Sequence, residues 1–221
     1  MKLTKEKKGN TVLKMNENII VYDNFIEKGK AKRLQGVMVG LYPLQQGTNR
    51  FTDGFQWYQS DGIVSEDDVD KFQFIHPFYV DPVSTSTAFA MITPILKLLK
   101  PLMILKIRAK LLTRTPEIEK SNFHTDIMAD IKGPTEEKIS QITTAIYYVN
   151  ANNGYTEFED GTKVESVENR LVIFPSNIKH RGTSCTNEQT RMVINFNYFA
   201  VTQHNEERER ITKDRKLFGI T

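Results

Sequence analysis

The spacing of apolar and polar positions divides the 221 residues into two halves of different character. Early in the chain the β-branched run Ile19 to Tyr22 predicts a strand, with Asp23 or Asn24 placed to cap a following helix. Ala31, Leu34 and Met38 recur at helical spacing, so a helix is predicted from about Glu27 towards Val39, ending near Gly40. Its apolar stripe is expected to pack on a sheet. Residues 43–61 (PLQQGTNRFTDGFQWYQSD) hold no sustained period. They read as a loop whose Phe51, Phe55, Trp57 and Tyr58 either line a substrate or pack as a hairpin on the core. Between about Ser84 and Lys100 two short helices are predicted, with Thr93 and Pro94 resembling an N-cap and first-turn pair.

From Pro101 the pattern changes to short apolar or alternating runs separated by turn residues. Leu102 to Leu112 is the first, and SNFHTD (121–126) is read as the second. Gln141 to Val149, YTEF, TKVESV, Arg170 to Phe174, Ile178 to Thr183 and Arg191 to Ala200 follow. About eight strands predict a jelly roll. The fold class is therefore mainly β with α (α+β), a double-stranded β-helix core supported by N-terminal helices. One domain is expected: support region 1–100, core 101–200, charged C-terminal tail 201–221, the last with the sign alternation of an exposed helix.

Composition changes this picture little. Charged residues make up 26% and hydrophobic residues 39%, with a net charge of +3, as in an ordinary globular protein. Outside KLTKEKK no long basic block occurs, so nucleic acid is not an expected partner. No run approaches the roughly 20 apolar residues that span a bilayer, so no membrane association is expected. Cys185 is the only cysteine, which rules out an intramolecular disulfide and fits a reducing, cytoplasmic location.

The chemistry concentrates in SNFHTD. In a strand, His124 and Asp126 share one face about 7 Å apart, a two-pronged arm that needs one distal histidine to complete a facial site of two histidines and a carboxylate. The other histidines are His76, His180 and His204. His204 lies in the charged tail, and His76 precedes a proline in the helical half, where a packing or surface role is expected. His180, after an apolar strand and a Pro-Ser-Asn turn, is the best candidate. Such a site with open positions is associated with non-haem Fe(II) oxygenases. Arg191 opens an apolar strand; it is either an edge arginine paired at the surface or the bidentate clamp for an anionic cosubstrate. Ser121, Asn122 and Thr125 either line the substrate side or cap the strand.

HTD, KHRG and Arg191 together resemble the His-X-Asp, distal His and arginine pattern of the Fe(II)/2-oxoglutarate-dependent dioxygenases. ITTAIYYVN, NNGYTEFEDG and NRLVIFPSNIKHRGT resemble the prolyl 4-hydroxylase-like branch, and the likeness covers roughly Leu102 to Phe199. It implies that His124, Asp126 and His180 bind Fe(II) and that 2-oxoglutarate chelates the metal with its distal carboxylate on Arg191. Tyr148, second tyrosine of the YYxN strand, would also bond that carboxylate. The implied chemistry is O2-dependent decarboxylation of 2-oxoglutarate coupled to hydroxylation, with ascorbate a candidate reductant. The implied partner is a small-molecule or peptide substrate, prolyl or another protein side chain first.

Two other readings use the same residues. A nucleic-acid dealkylase of the AlkB-like branch shares the ligands, but that branch carries a second arginine six residues after the first, where this chain has Asn197. A jelly-roll binding module or zinc hydrolase would keep the ligands without turnover. Residues 43–60 and TRTPEIEKS are candidate specificity loops.

Overall fold

The computed structural model describes residues 12–61, 72–80, 83–84, 86–127, 139–200 and 204–220. The basic N-terminal stretch and most of the polar connection 130–140 lie outside them. Twelve strands occur among the described residues: β1 (Val12–Lys14), β2 (Ile20–Tyr22), β3 (Tyr58–Asp61), β4 (Phe72–Val80), β5 (Val83–Ser84), β6 (Met103–Thr113), β7 (Ile142–Tyr148), β8 (Tyr155–Phe158), β9 (Lys163–Glu165), β10 (Arg170–Pro175), β11 (His180–Gly182) and β12 (Thr190–Phe199). The helices are α1 (Lys28–Met38), a 3₁₀ turn (Thr87–Ile92), α2 (Thr93–Leu99) and α3 (His204–Leu217).

A nine-stranded antiparallel sheet runs β1-β2-β10-β7-β12-β6-β4-β3, with β5 on β4, and a second sheet runs β11-β8-β9. Together they form the expected jelly roll. Seven of its eight expected places from residue 102 are strands. The eighth, SNFHTD, is not a ladder: two isolated bridges, Lys120 to Thr183 and His124 to His180, hold this stretch to the second sheet. Its short polar side chains bond nearby main chain instead, which competes with strand pairing.

β7 and β12 are buried on both faces, and this dictates their near-continuous apolar sequence. One face, with Tyr147, Ile194, Phe196 and Tyr198, packs on Leu34, Met38, Ile95, Leu98 and Ile211 from the helices. The other, with Ile146, Tyr148, Val172, Phe174 and Val193, packs on Phe158 and Val164 of the second sheet. Burying each such side chain stabilises the fold by about 1.5–3 kcal/mol.

Several local expectations are corrected. Glu27, and not Asp23 or Asn24, caps α1, its carboxylate accepting from the amides of Gly29 (2.6 Å) and Lys30 (3.3 Å). Asp23 is engaged elsewhere, by the Arg170 guanidinium at 2.6 and 3.1 Å. Thr93 is already helical and Ile92 occupies the cap position of α2 without a side-chain bond. Residues 43–57 form a loop as expected, and β3 at the end of this stretch pairs with the long β4, where no strand was predicted. Phe55 and Trp57 pack on the core, whereas Phe51 is 82% exposed. His76 is a packing residue as expected, although on a strand: its ring stacks 4.1 Å from Phe55, and its nitrogens meet Gln56 O at 2.7 Å and Ser86 Oγ at 2.6 Å.

The C-terminal segment is more than an exposed charged helix. Arg210 donates to the last carbonyls of α2, at Leu98 (3.0 Å) and Leu99 (2.6 Å), and Arg215 donates to the carbonyls of Asp23 (2.7 Å) and Asn24 (2.8 Å). These bonds satisfy carbonyls that a helix end and a turn leave over.

Asn169 joins the N-terminal strand to the core. Its amide accepts from Ile26 N (3.0 Å) and the Tyr147 hydroxyl (3.0 Å) and donates to Ile26 O (2.8 Å), from a backbone at φ 60°. Asn169→Ala strands three buried partners and puts a Cβ-bearing non-Asn residue in the left-handed region. It is expected to cost on the order of 3 kcal/mol, lowering Tm by roughly 6–12 °C. A calorimetric shift under 2 °C, on the order of a surface substitution, would refute this account.

Candidate metal centre

His124 and His180 sit opposite one another because their backbones exchange both hydrogen bonds, each N–H donating to the other's carbonyl at 3.0 Å. The imidazole centroids stand 4.9 Å apart. His124 Nδ1 lies 3.1 Å from Asn122 O and His180 Nδ1 lies 3.2 Å from Ile178 O. With Nδ1 donating to a carbonyl, Nε2 of each ring keeps its lone pair. Asp126 follows after a bend, with Oδ1 4.0 Å from His124 Nε2 and Oδ2 3.8 Å from His180 Nε2.

All three candidate donor atoms lie within 4.8 Å of one another. They are too far apart to hydrogen-bond and close enough for one ion to reach all three. Two neutral imidazoles and a carboxylate are the donor set of a facial iron site, so the residues fit the metal. Burial depresses both imidazoles, His124 to about 4 with help from its neighbour His180. Both are therefore neutral near pH 7, as ligation requires. Burial alone would raise the Asp126 carboxyl, but with both imidazoles neutral the ammonium groups of Lys110 and Lys106 still outweigh it and keep it ionised.

The surrounding shell was not read from the sequence. Asn195 Nδ2 donates to Asp126 Oδ1 and Oδ2 at 3.4 and 3.3 Å, and Asn197 Nδ2 donates to Oδ2 at 3.3 Å and to Thr144 Oγ1 at 3.0 Å. Alternation on β12 puts both amides on the inner face, the one signal that could have found them. Where the AlkB-like pattern has a second arginine, this chain holds its carboxylate with the neutral amide of Asn197. Ser121 ties the arm to β11, its N–H and Oγ donating to Gly182 O at 3.0 and 3.2 Å. Asn122 supplies the carbonyl facing the His124 ring, and Thr125 Oγ1 donates to Ile127 O at 3.0 Å.

Arg191 and both histidines line one cavity of about 200 Å³, together with Lys110, Thr156, Ile146, Val193 and Asn195. Arg191 is buried, which lowers its guanidinium from the usual range, and no carboxylate pairs with it among the described residues. Its Nε donates to Ser166 Oγ (2.9 Å) and its Nη2 to Thr156 Oγ1 (3.3 Å). Room for its side chain depends on Gly154, where a Cβ would meet Arg191 Cδ at 2.6 Å and Ser184 O at 2.5 Å. Tyr148 lies beneath, with the guanidinium 5.8 Å above its ring. The Tyr148 hydroxyl donates to Thr156 Oγ1 (2.8 Å) and Val164 O (3.4 Å) and stays behind the cavity wall. Thr156 presents the hydroxyl there. Of the five candidates, then, four share the site and Tyr148 supports it from behind.

Solved structures share this fold. A prolyl hydroxylase from Trichoplax adhaerens, in complex with a hypoxia inducible factor oxygen degradation domain peptide fragment, is 15% identical over 88% of this chain and 87% of its own, with a TM-score of 0.54. The non-haem alpha-ketoglutarate-dependent epimerase SnoN and carbocyclase SnoK of nogalamycin biosynthesis also reach 0.54, at 9% and 12% identity; SnoN covers 84% of this chain and 79% of its own, SnoK 86% of each. No curated protein matches the chain. Among the described residues no helix is long and apolar enough to cross a membrane. Residues 112–199 match the model of the 2OG-Fe(II) oxygenase superfamily, whose members use Fe(II), 2-oxoglutarate and O2. That segment contains His124, Asp126, His180 and Arg191, so the part of the chain that is similar to this superfamily is the part that holds the whole candidate site.

Proposed function

We propose that this chain hydroxylates a protein side chain, prolyl the first candidate, with Fe(II) held by His124 Nε2, the Asp126 carboxylate and His180 Nε2, and the distal carboxylate of 2-oxoglutarate held by Arg191. The observation that carries this reading is one cavity joining a paired His124–His180 bridge to a buried arginine that has no carboxylate partner among the described residues. The prolyl assignment draws support from YYVN and FPSNIKHRG and from the similar Trichoplax prolyl hydroxylase, itself in complex with a peptide fragment.

The residues have distinct tasks. Carbonyls 122 and 178 fix both rings so that Nε2 faces the ion, and the Asn195 and Asn197 amides orient the Asp126 carboxylate. The guanidinium of Arg191 offers a planar fork matched to a carboxylate and stays charged when buried. Ser166 and Thr156 hold that fork, while Phe174 (4.9 Å between centroids) and Phe158 (6.2 Å) shield His180 from water. When bound, iron with 2-oxoglutarate supplies the O2-dependent oxidation that ends in succinate, carbon dioxide and a hydroxylated product. The chain itself positions the substrate C–H beside the open face.

Anaerobic addition of Fe(II) and 2-oxoglutarate should give a weak visible charge-transfer band, and admission of O2 should release succinate, faster with a true substrate from a panel of peptides, nucleotides and metabolites. A folded, iron-loaded protein without the band would sink the reading. Acceleration by nucleotides alone would replace the protein side chain as substrate.

A further inference from the structure

One wall of the site carries more positive charge than a metal and its cosubstrate require. β6 reads Lys106-Ile107-Arg108-Ala109-Lys110 in its middle. Strand alternation sends Ile107 and Ala109 into the helix-side core and Lys106, Arg108 and Lys110 to the opposite face. There the register sets them beside Asn197, Asn195 and Val193. Those asparagines are the two that hold Asp126. Lys110 lines the cavity, and Lys106 Nζ donates to the main-chain oxygen of Asp126 at 3.1 Å. Arg108 stands between them with its Nε buried and without an acceptor. Burial lowers both lysines, and Asp126 is the one carboxylate that offsets the cost.

Asp126 has little to spare for them once the site is loaded. Fe(II) against this carboxylate leaves one positive charge, the 2-oxoglutarate dianion turns it to one negative, and Arg191 cancels that. Among the described residues the three β6 cations then remain without counter-charge in a half-buried wall, which is unfavourable unless an anion joins them. We propose that the substrate carries a carboxylate or phosphate that seats on Arg108 and its flanking lysines beside the metal. This rests on the function proposed above and deepens it to an acidic substrate. A net charge of only +3 favours an acidic side chain or small acid over a nucleic-acid strand.

The test uses the whole protein loaded anaerobically with Fe(II) and 2-oxoglutarate, titrated separately with inorganic phosphate, acetate, neutral acetamide and a thymidine oligonucleotide. NMR relaxation of the probe by the paramagnetic iron reports binding near the metal. Phosphate or acetate should bind saturably and acetamide should not, the stronger of the two anions naming the group. Arg108→Gln should weaken that anion about ten- to hundred-fold, Arg108→Lys should keep it, and the charge-transfer band should be the same in all three proteins. Unchanged anion binding in Arg108→Gln, or no saturable anion binding while the band forms, overturns the proposal and leaves the iron reading standing. Saturable binding by the oligonucleotide alone overturns it in favour of nucleic acid. Loss of the band in the unmutated protein removes the iron reading, and with it the charge balance behind this one.

Discussion

His180→Ala is expected to abolish both Fe(II) binding and succinate release, while His204→Ala leaves both unchanged. The physical ground is that three donors lie within 4.8 Å and nothing else among the described residues joins them. Removing an outer partner of a metal ligand typically costs 10–100-fold in affinity, so loss of a direct donor should exceed that range. The fold should survive, because the His124–His180 pairing is made by backbone groups that alanine retains. Dialysis against a metal buffer followed by iron quantification decides the matter. Equal iron content in the two variants would show that the distal ligand lies elsewhere.

Arg191→Ala separates the cosubstrate from the metal. Iron affinity should persist, whereas 2-oxoglutarate affinity should fall by about 3–5 kcal/mol, two to nearly four decades in Kd, as for truncation of one partner of a buried charge pair. Arg191 is buried without a counter-ion among the described residues, so its removal should cost the apoprotein little, only its bonds to Ser166 and Thr156 being lost. The rise in Tm that 2-oxoglutarate gives the native protein should then vanish. A variant that still gains several degrees from the cosubstrate would remove the proposed clamp.

Which of these residues a reader of the sequence could find follows from what each depends on. His124, Asp126, His180 and Arg191 were legible because their types are rare in strand-like text and their order follows a recognisable pattern. The jelly roll was legible because turn residues punctuate short runs at regular spacing. β4 was missed because Pro77 breaks a run that otherwise reads as a strand. The register shift between Pro77 and Tyr79 shows how the sheet accommodates it, as a bulge near its edge. Lys106, Arg108 and Lys110 were passed over since alternating charge in a strand reads as a solvent face, and only topology says that this face turns inward. Tyr148 shows the converse limit. Alternation set its face correctly, but the cross-sheet hydroxyl of Thr156 stands in front of it, and depth of that kind is not a one-dimensional property.

The reciprocal pairing of His124 with His180 makes the ion a clasp as well as a reactant. Those two residues bind a stretch held by isolated bridges to the far smaller of the two sheets. Without metal, that junction rests on a few backbone bonds, the Ser121 tie to Gly182 and the Asn195 and Asn197 amides on Asp126. With metal, opening must also break coordination, so the free energy of binding is added to the free energy of local opening. Filling the site would therefore stiffen that one junction selectively, while the helix-backed sheet keeps the rigidity its own ladders give it.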